Sequence, residues 1–309
     1  MTTWLVTGGA GFIGSHLCEA LLAEGDGVRV LDDLSTGRRD NLPASVELIV
    51  GDVADEVAVR SAFDGVAGCF HLAAIASVER GATEWLGTHR VNLTGAITLF
   101  DTVRRLQTKI PVVYASTAAV YGDVATMPIT ETTERRPLSA YGADKYASEL
   151  QARVASHVHS IPTVGLRIFN VYGPRQDPRS RYSGVISIFC ERIRRGAPID
   201  VFGDGKQTRD FVYVTDVVAA LLAAMRLQSM DASVFNICTG IPTSLLGVAQ
   251  LIAELSGAAL DVRHKPPRPG DIRHSTGSPT LSRVRLSLPE PVTLRTGLAQ
   301  VLDWLNATH

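Results

Sequence analysis

The sequence predicts an α/β fold: a doubly wound parallel sheet followed by a smaller α/β C-terminal lobe. Three observations point to it. Short apolar runs alternate with helical patterns over the first 170 residues, a glycine-rich turn joins the first strand to the first helix, and after Asn170 the texture changes to loops rich in Pro, Gly, Arg and Asp. Strands that read as continuous apolar runs need helices on both faces of their sheet.

The elements can be read in order. A buried strand is expected over Thr3–Thr7 and a helix over Phe12–Ala23. Further strands are expected at 28–31, 46–50, 68–72, 111–115 and 163–169, with long helical patterns at 86–106 and 143–159. Residues 171–183 and 265–271 read as irregular loops. Between and beyond them a helix is expected at 185–195, short strands at 210–214 and 234–238, and a helix at 245–255. The division this suggests is a nucleotide-binding domain over 1–170 and a lobe over 171–309, with some elements exchanged between them.

Bulk composition bounds the function. The chain has 309 residues, enough for a full α/β core. Its net charge is −1, from 30 basic and 31 acidic residues, which argues against a nucleic-acid or polybasic membrane partner. Cys18, Cys69, Cys190 and Cys238 never pair at CxxC spacing and read as reduced core thiols; no metal site is expected. No apolar run reaches membrane-spanning length, and the first strand starts at once, so a cytoplasmic protein without a signal peptide is expected.

Gly8, Gly11 and Gly14 have GxxGxxG spacing between a strand and an amphipathic helix. Glycine permits the tight turn and close approach of a pyrophosphate, while the helix N-terminus behind it, opening at Phe12 and Ile13, favours negative charge. The second strand ends at Asp32, 18 residues after Gly14. A carboxylate there accepts hydrogen bonds from an adenosine ribose and repels a 2'-phosphate, so NAD is expected over NADP. Asp33, Ser35, Thr36 and Gly37 follow it into the same expected site, with Arg38 and Arg39 close by. In Gly51-Asp52-Val53, the Asp suits either an adenine amino group or a helix N-cap. Leu72, Ala73 and Ala74 end the fourth strand, where small residues let a flat ring lie against backbone; His71 before them reads as structural.

Tyr141 and Lys145 are four apart on a helix and share one face. A tyrosine is a poor base at its ordinary pKa of about 10. A neighbouring ammonium and the positive nicotinamide ring favour the phenolate, which then takes a proton from an alcohol as hydride leaves. Ser116 and Thr117 lie upstream at the end of a parallel strand, where open α/β sheets bind ligands, and a hydroxyl there can hold the substrate oxygen.

With these residues in view, the chain resembles the extended short-chain dehydrogenase/reductases, which have a Rossmann-type sheet. The resemblance rests on residues 7–14, Asp32, Asp52, Ser-Thr-Ala-Ala-Val-Tyr-Gly at 116–122, Tyr141 with Lys145, and Phe-Asn-Val-Tyr-Gly-Pro at 169–174. It continues through Gly203-Asp204-Gly205, Arg209-Asp210-Phe211 and Arg268-Pro269-Gly270-Asp271, and within the family is strongest to NAD-dependent UDP-sugar 4-epimerases. It implies a catalytic trio of Thr117, Tyr141 and Lys145, with Ser116 beside it and Lys145 also touching the nicotinamide ribose. Asn92 would support the cofactor site. Asn170 would contact the sugar diphosphate, Arg209 and Arg268 would hold its phosphates, and Asp271 the uridine ribose. Val185 and Phe202 complete that substrate set. A homodimer through a four-helix contact, built from 86–106 and 143–159, is also implied.

Two positions narrow the reaction. Sugar-nucleotide dehydratases of the family carry Asp-Glu directly after the catalytic hydroxyl residue, and this chain has Ala118-Ala119, with no acid or base for eliminating water. Epimerases restricted to non-acetylated hexoses resemble one another in a tyrosine four residues after the Asp at 271; here that residue is Ser275, which leaves room for an N-acetyl group. Ala76 stands where some hexose epimerases have a lysine, so Ser77 and Val78 are expected to line the sugar pocket. The expected reaction is C4 epimerisation of UDP-GlcNAc and UDP-GalNAc, with UDP-Glc and UDP-Gal accepted. The alternatives are a strict UDP-glucose 4-epimerase, another sugar-nucleotide reductase or dehydratase, and, remotely, a non-catalytic NAD-binding scaffold.

Overall fold

The computed structural model describes residues 2–76, 78–106, 109–178, 184–227, 229–268 and 271–308. The first half of the chain forms β1 (Thr3–Thr7), α1 (Phe12–Ala23), β2 (Gly27–Asp32), β3 (Glu47–Val50), α2 (Glu56–Ala62), β4 (Gly68–His71), α3 (Val78–Thr83) and α4 (Trp85–His89). A π-helical turn (Arg90–Thr94) leads into α5 (Gly95–Arg105), followed by β5 (Val112–Thr117), a 3-10 turn (Ala118–Val120), α6 (Ala140–His159) and β6 (Thr163–Ile168). The rest comprises β7 (Asn170–Tyr172), α7 (Val185–Arg194), β8 (Ile199–Phe202), β9 (Thr208–Tyr213), α8 (Val214–Leu227), β10 (Ser233–Ile237) and β11 (Pro242–Ser244). It ends with α9 (Leu245–Ser256), β12 (Val262–Lys265), β13 (His274–Ser275), α10 (Thr280–Arg285) and α11 (Leu294–Thr308).

The main sheet runs β10-β6-β5-β4-β1-β2-β3, and every pair in it is parallel. It is covered on both faces, as continuous apolar strands require. In β1, Leu5 packs with Leu31, Phe63, Leu99 and Val112 on one side, and Val6 packs with Leu17, Leu21, Val30 and Leu221 on the other. Both are fully buried. Strand order reverses between β1 and β4, and in open α/β sheets the ligand crevice lies at such a reversal, beyond the carboxyl ends of the strands.

β10 comes from the segment expected in the C-terminal lobe, yet pairs with β6 in register from Ser233↔Val164 to Ile237↔Ile168. Local pattern identifies a strand; the open sheet edge it reaches decides its partner. Helix α8 likewise returns to pack on α1 through Val217, Val218 and Leu221. In sequence this helix is apolar nearly all round, which hides its period. The second lobe is a small sheet with β9 at its centre, between β11 and β13 and also paired with β7, plus the β8·β12 pair. Helices α7, α9 and α11 cover it through Ile186, Phe189, Val248, Ile252, Leu298 and Val301.

Capping sets where the key helix begins. Ser139 accepts from Gly142 N at 3.1 Å, so α6 starts three residues before the expected 143, and Tyr141 lies in its first turn. Among the described residues, no helix is long and apolar enough to cross a membrane.

Candidate active site

At the head of the crevice, β1 turns into α1 through the glycines. Gly8 has φ +71, a left-handed conformation, and a Cβ there would sit 2.6 Å from Ala73 N at the end of β4. A Cβ on Gly14 would sit 2.3 Å from Gly8 O. No side chain caps the N-terminus of α1, and its first turn holds no acid. The free amides at Phe12, Ile13 and Gly14 therefore point into the crevice as donors for an anion.

The adenosine end lies beside that cradle. Asp32 is 7% exposed; it accepts from Ala10 N through Oδ2 and from Leu34 N through Oδ1, both at 2.9 Å. Burial raises its pKa and these two amides pull it back. Each oxygen keeps a lone pair for a ribose hydroxyl. The following loop folds over the turn: Arg38 N donates to Ala10 O, and so does Asn41 Nδ2, at 2.9 Å. Gly37 fits because a Cβ there would meet Ala10 and Asp32, each at 2.9 Å. Asp33 accepts from Ser35 N and Oγ at the surface, and Thr36 is exposed beside them. Asp52 accepts from Ala54 N at 2.8 Å and pairs with Arg90 at 3.1 Å, while Asp55 is the residue that caps α2. The cap alternative for Asp52 therefore falls away. The Val53 side chain is buried in the core against Gly95.

Opposite the cradle, Leu72, Ala73 and Ala74 continue β4, partly buried. Ala73 N donates to Thr7 Oγ1 at 3.3 Å, and the Thr7 hydroxyl pairs with His71 Nδ1 at 2.8 Å. This ties the ends of β1 and β4 together at the reversal. Burial, assisted by Lys145, lowers the His71 pKa to about 3, so the ring is neutral. Asn92, fully buried in the π-helical turn, accepts from Ile75 N at 2.8 Å and donates to Ile75 O at 3.2 Å. Its side-chain amide thus clamps the backbone after β4. Ser77 lies outside the described residues, and Val78 opens α3.

The reacting groups meet at the end of β5. The Thr117 side chain lies beside the Tyr141 hydroxyl and pulls its pKa down, against the stronger upward push of burial. Lys145 is one turn further along α6 and only 3% exposed; burial lowers its pKa to about 8, with adjacent Asp144 holding it up. No carboxylate pairs with its Nζ among the described residues. A buried ammonium without a partner beside a cradle that excludes side chains fits a dinucleotide whose ribose hydroxyls would accept from it. Ser116 is placed elsewhere than expected. It donates to Glu149 Oε1 on α6 at 2.5 Å, inside the core behind the strand end. Thr117, not Ser116, is the hydroxyl beside the phenol.

On the second lobe, strand register brings the substrate candidates together. Ser275 pairs with Arg209 and Asn170 pairs with Phe211, two residues along β9, so Asn170, Arg209 and Ser275 share one face. Arg209 Nη2 meets Asp271 Oδ1 at 2.6 Å, and the Arg268 guanidinium stacks 3.8 Å over the Phe202 ring. Val185 sits half-buried at the start of α7. Gln207, which the sequence reading passed over, braces this corner by donating to Phe202 O at 2.9 Å and reaching Asp271 Oδ2 at 3.5 Å. Nothing in local sequence marks it. Its neighbour in the Arg-Asp-Phe run has another job: buried Asp210 accepts from Thr239, Gly240 and Gly277, which pins β9 to the loops beside it.

A phenol and an ammonium one helical turn apart, facing a dinucleotide crevice, define the class: a Rossmann-type enzyme of the tyrosine–lysine kind. The chain belongs to the NAD dependent epimerase/dehydratase family, whose model matches residues 4–238. Its cofactor is NAD. Among solved structures it is similar to the Thermotoga maritima UDP-glucose 4-epimerase with UDP-glucose, at 37% identity and a TM-score of 0.95 over 99% of each chain. The Thermus thermophilus UDP-glucose 4-epimerase in complex with NAD matches at 37% identity and a TM-score of 0.93 over 100% of each. A UDP-N-acetylglucosamine 4-epimerase from Methanobrevibacter ruminantium, in complex with UDP-N-acetylmuramic acid, matches at 31% and 0.94, over 100% of this chain and 99% of that one.

Proposed function

We propose that this protein is a UDP-sugar 4-epimerase that interconverts UDP-glucose and UDP-galactose and also accepts their N-acetylated counterparts. The observation that carries the reading is the placing of Thr117 beside the Tyr141 phenol, with Lys145 buried one helical turn on, at the crevice that the glycine cradle forms. Gly8, Gly11, Gly14, Asp32 and Lys145 would hold NAD, which when bound supplies the acceptor and then the donor of the hydride at sugar C4. Tyr141, as phenolate favoured by the Lys145 charge, takes the proton of the 4-hydroxyl while Thr117 orients the oxygen. The 4-keto sugar turns over while Arg209 and Arg268 keep the diphosphate anchored, and Tyr141 returns the proton. Ala118-Ala119 offers no group for removing water, so the sugar keeps its mass.

Tolerance of an acetamido group rests on Ser275, a small side chain in register with Arg209. A strict UDP-glucose 4-epimerase is the second reading, favoured by the higher identity to the Thermotoga and Thermus enzymes. Incubating the protein with UDP-glucose and UDP-GlcNAc separately, without added NAD, and resolving the products decides between them. Two pairs of C4 epimers of unchanged mass are expected; a product of altered mass would overturn the epimerase reading. Ser275→Tyr should suppress the acetylated substrate alone, by about 10- to 200-fold, and equal loss for both would remove the gate.

We also propose a homodimer through α4, α5 and α6. Trp85, Leu86, Ile97, Leu150, Val154 and Val158 are exposed apolar residues on those helices, the last three spaced along one face of α6.

A further inference from the structure

Behind the reacting groups lies a buried polar cluster that the proposed chemistry does not use. Glu149 and Arg167, each with a side chain 5% exposed, form a two-pronged pair: Nε to Oε1 at 2.9 Å and Nη2 to Oε2 at 2.7 Å. Ser116 donates to the same Oε1 at 2.5 Å. Arg167 Nη1 reaches the Tyr121 hydroxyl at 2.7 Å and Glu131 O at 3.1 Å, and Tyr121 donates in turn to Asn236 Oδ1 at 2.6 Å. The guanidinium also lies 4.9 Å from the centre of the Tyr121 ring. The cluster therefore joins β5, α6, β6, β10 and the 3-10 turn after Thr117.

Desolvating two charges is expensive, and apolar residues of similar volume often hold a core as well or better. Such residues can slide, whereas a guanidinium–carboxylate fork has one preferred arrangement. The placement matters as well. Tyr141, Lys145 and Glu149 follow at intervals of four along one face of α6, and Ser116 and Thr117 are consecutive on β5. Helix and strand thus meet at the Glu149–Ser116 hydrogen bond, with the Tyr141 and Thr117 side chains as neighbours two turns back along α6. Holding the helix at that bond fixes its slide against β5 and with it the approach of those two side chains.

We infer that Ser116 and Glu149 are positioning residues of the reaction: the buried pair, acting through the Ser116 hydroxyl, sets the approach of Thr117 to Tyr141. This rests on the 4-epimerase reading for its kinetic consequence and on geometry alone for its effect on the phenol. The test is Ser116→Ala in the full chain, which leaves the Glu149–Arg167 pair in place, with Ser116→Thr as the variant that keeps the hydroxyl. Two quantities are read: kcat and KM for UDP-glucose across pH, and the ultraviolet titration of the Tyr141 phenol, taken as the difference from Tyr141→Phe. With the hydroxyl gone, Thr117 is held less closely to the phenol and the phenolate loses support. Ser116→Ala should lower kcat about tenfold with KM little changed, and move both the acid limb of kcat and the phenol titration to higher pH; Ser116→Thr should restore both. A lowered kcat with an unmoved phenol titration would reduce Ser116 to a folding role and overturn the inference, as would wild-type behaviour in both readouts. If the unaltered protein does not turn over UDP-glucose, the proposed function fails, and the phenol titration still decides the positioning role.

Discussion

A phenol is a feeble base at neutral pH, and burial makes Tyr141 feebler still. What opposes burial is local: the Thr117 side chain beside the phenol. Tyr141→Phe removes the proton acceptor and nothing else, so turnover should fall by about 10²- to 10⁴-fold while calorimetry still detects NAD and UDP-sugar binding. Substantial activity in that variant would sink the assignment. His71 supplies a prediction about stability. Its folded pKa of about 3 lies below the unfolded value of 6.5, so as pH falls through 6.5 the unfolded chain takes up a proton that the folded chain refuses. Its stabilising contribution is whole above pH 6.5 and declines toward pH 3, by at most about 1.4 kcal/mol per pH unit. Denaturant melts between pH 7 and 4 should show a shallower loss in His71→Gln than in the parent; parallel slopes would rule this out.

Elements carry the cofactor site. The turn between β1 and α1 works because two glycines let its backbone close on itself and on Ala73. Gly14→Ala would place a methyl against the Gly8 carbonyl, backbone against which nothing flexible can give way. NAD retention should be lost in purified Gly14→Ala, as read by bound-nucleotide absorbance, whereas the parent should carry NAD through purification. Retention in the variant would mean that the cradle is not the pyrophosphate site. The long helical pattern at 86–106 was legible from its periodicity, but not the π-helical turn within it. That turn places Asn92 where its amide can clamp Ile75, 17 residues earlier, and no period in the sequence encodes such a partner.

At the scale of the whole molecule, the two lobes are sewn together by β10 and α8, which leave the second lobe to finish the first sheet and its cover. The proposed site therefore straddles both: Tyr141, Lys145 and the glycine cradle on one, and the proposed substrate residues Asn170, Arg209 and Asp271 on the other. The exposed apolar stripe on α6 belongs to this scale too. Leu150→Arg combined with Val154→Arg should halve the mass seen by light scattering, from a dimer to a monomer. A parent that is already monomeric would exclude the interface.

By itself the sequence determined the α/β class, the glycine turn with its acidic partner, the tyrosine–lysine spacing and the arginines of the second lobe. These are local facts, set by periods of 2 and 3.6 residues, by the missing Cβ of glycine and by charge, and they stay legible without knowing what packs on what. Only the tertiary structure decided the sheet that β10 joins, the register that puts Ser275 beside Arg209, and the two duties of Ser116 and Thr117. Ser116 meets a buried carboxylate 33 residues away, while Thr117, the last residue of the strand, lies beside the phenol. Which does which depends on where α6 lies across the sheet, a consequence of packing that no local pattern carries.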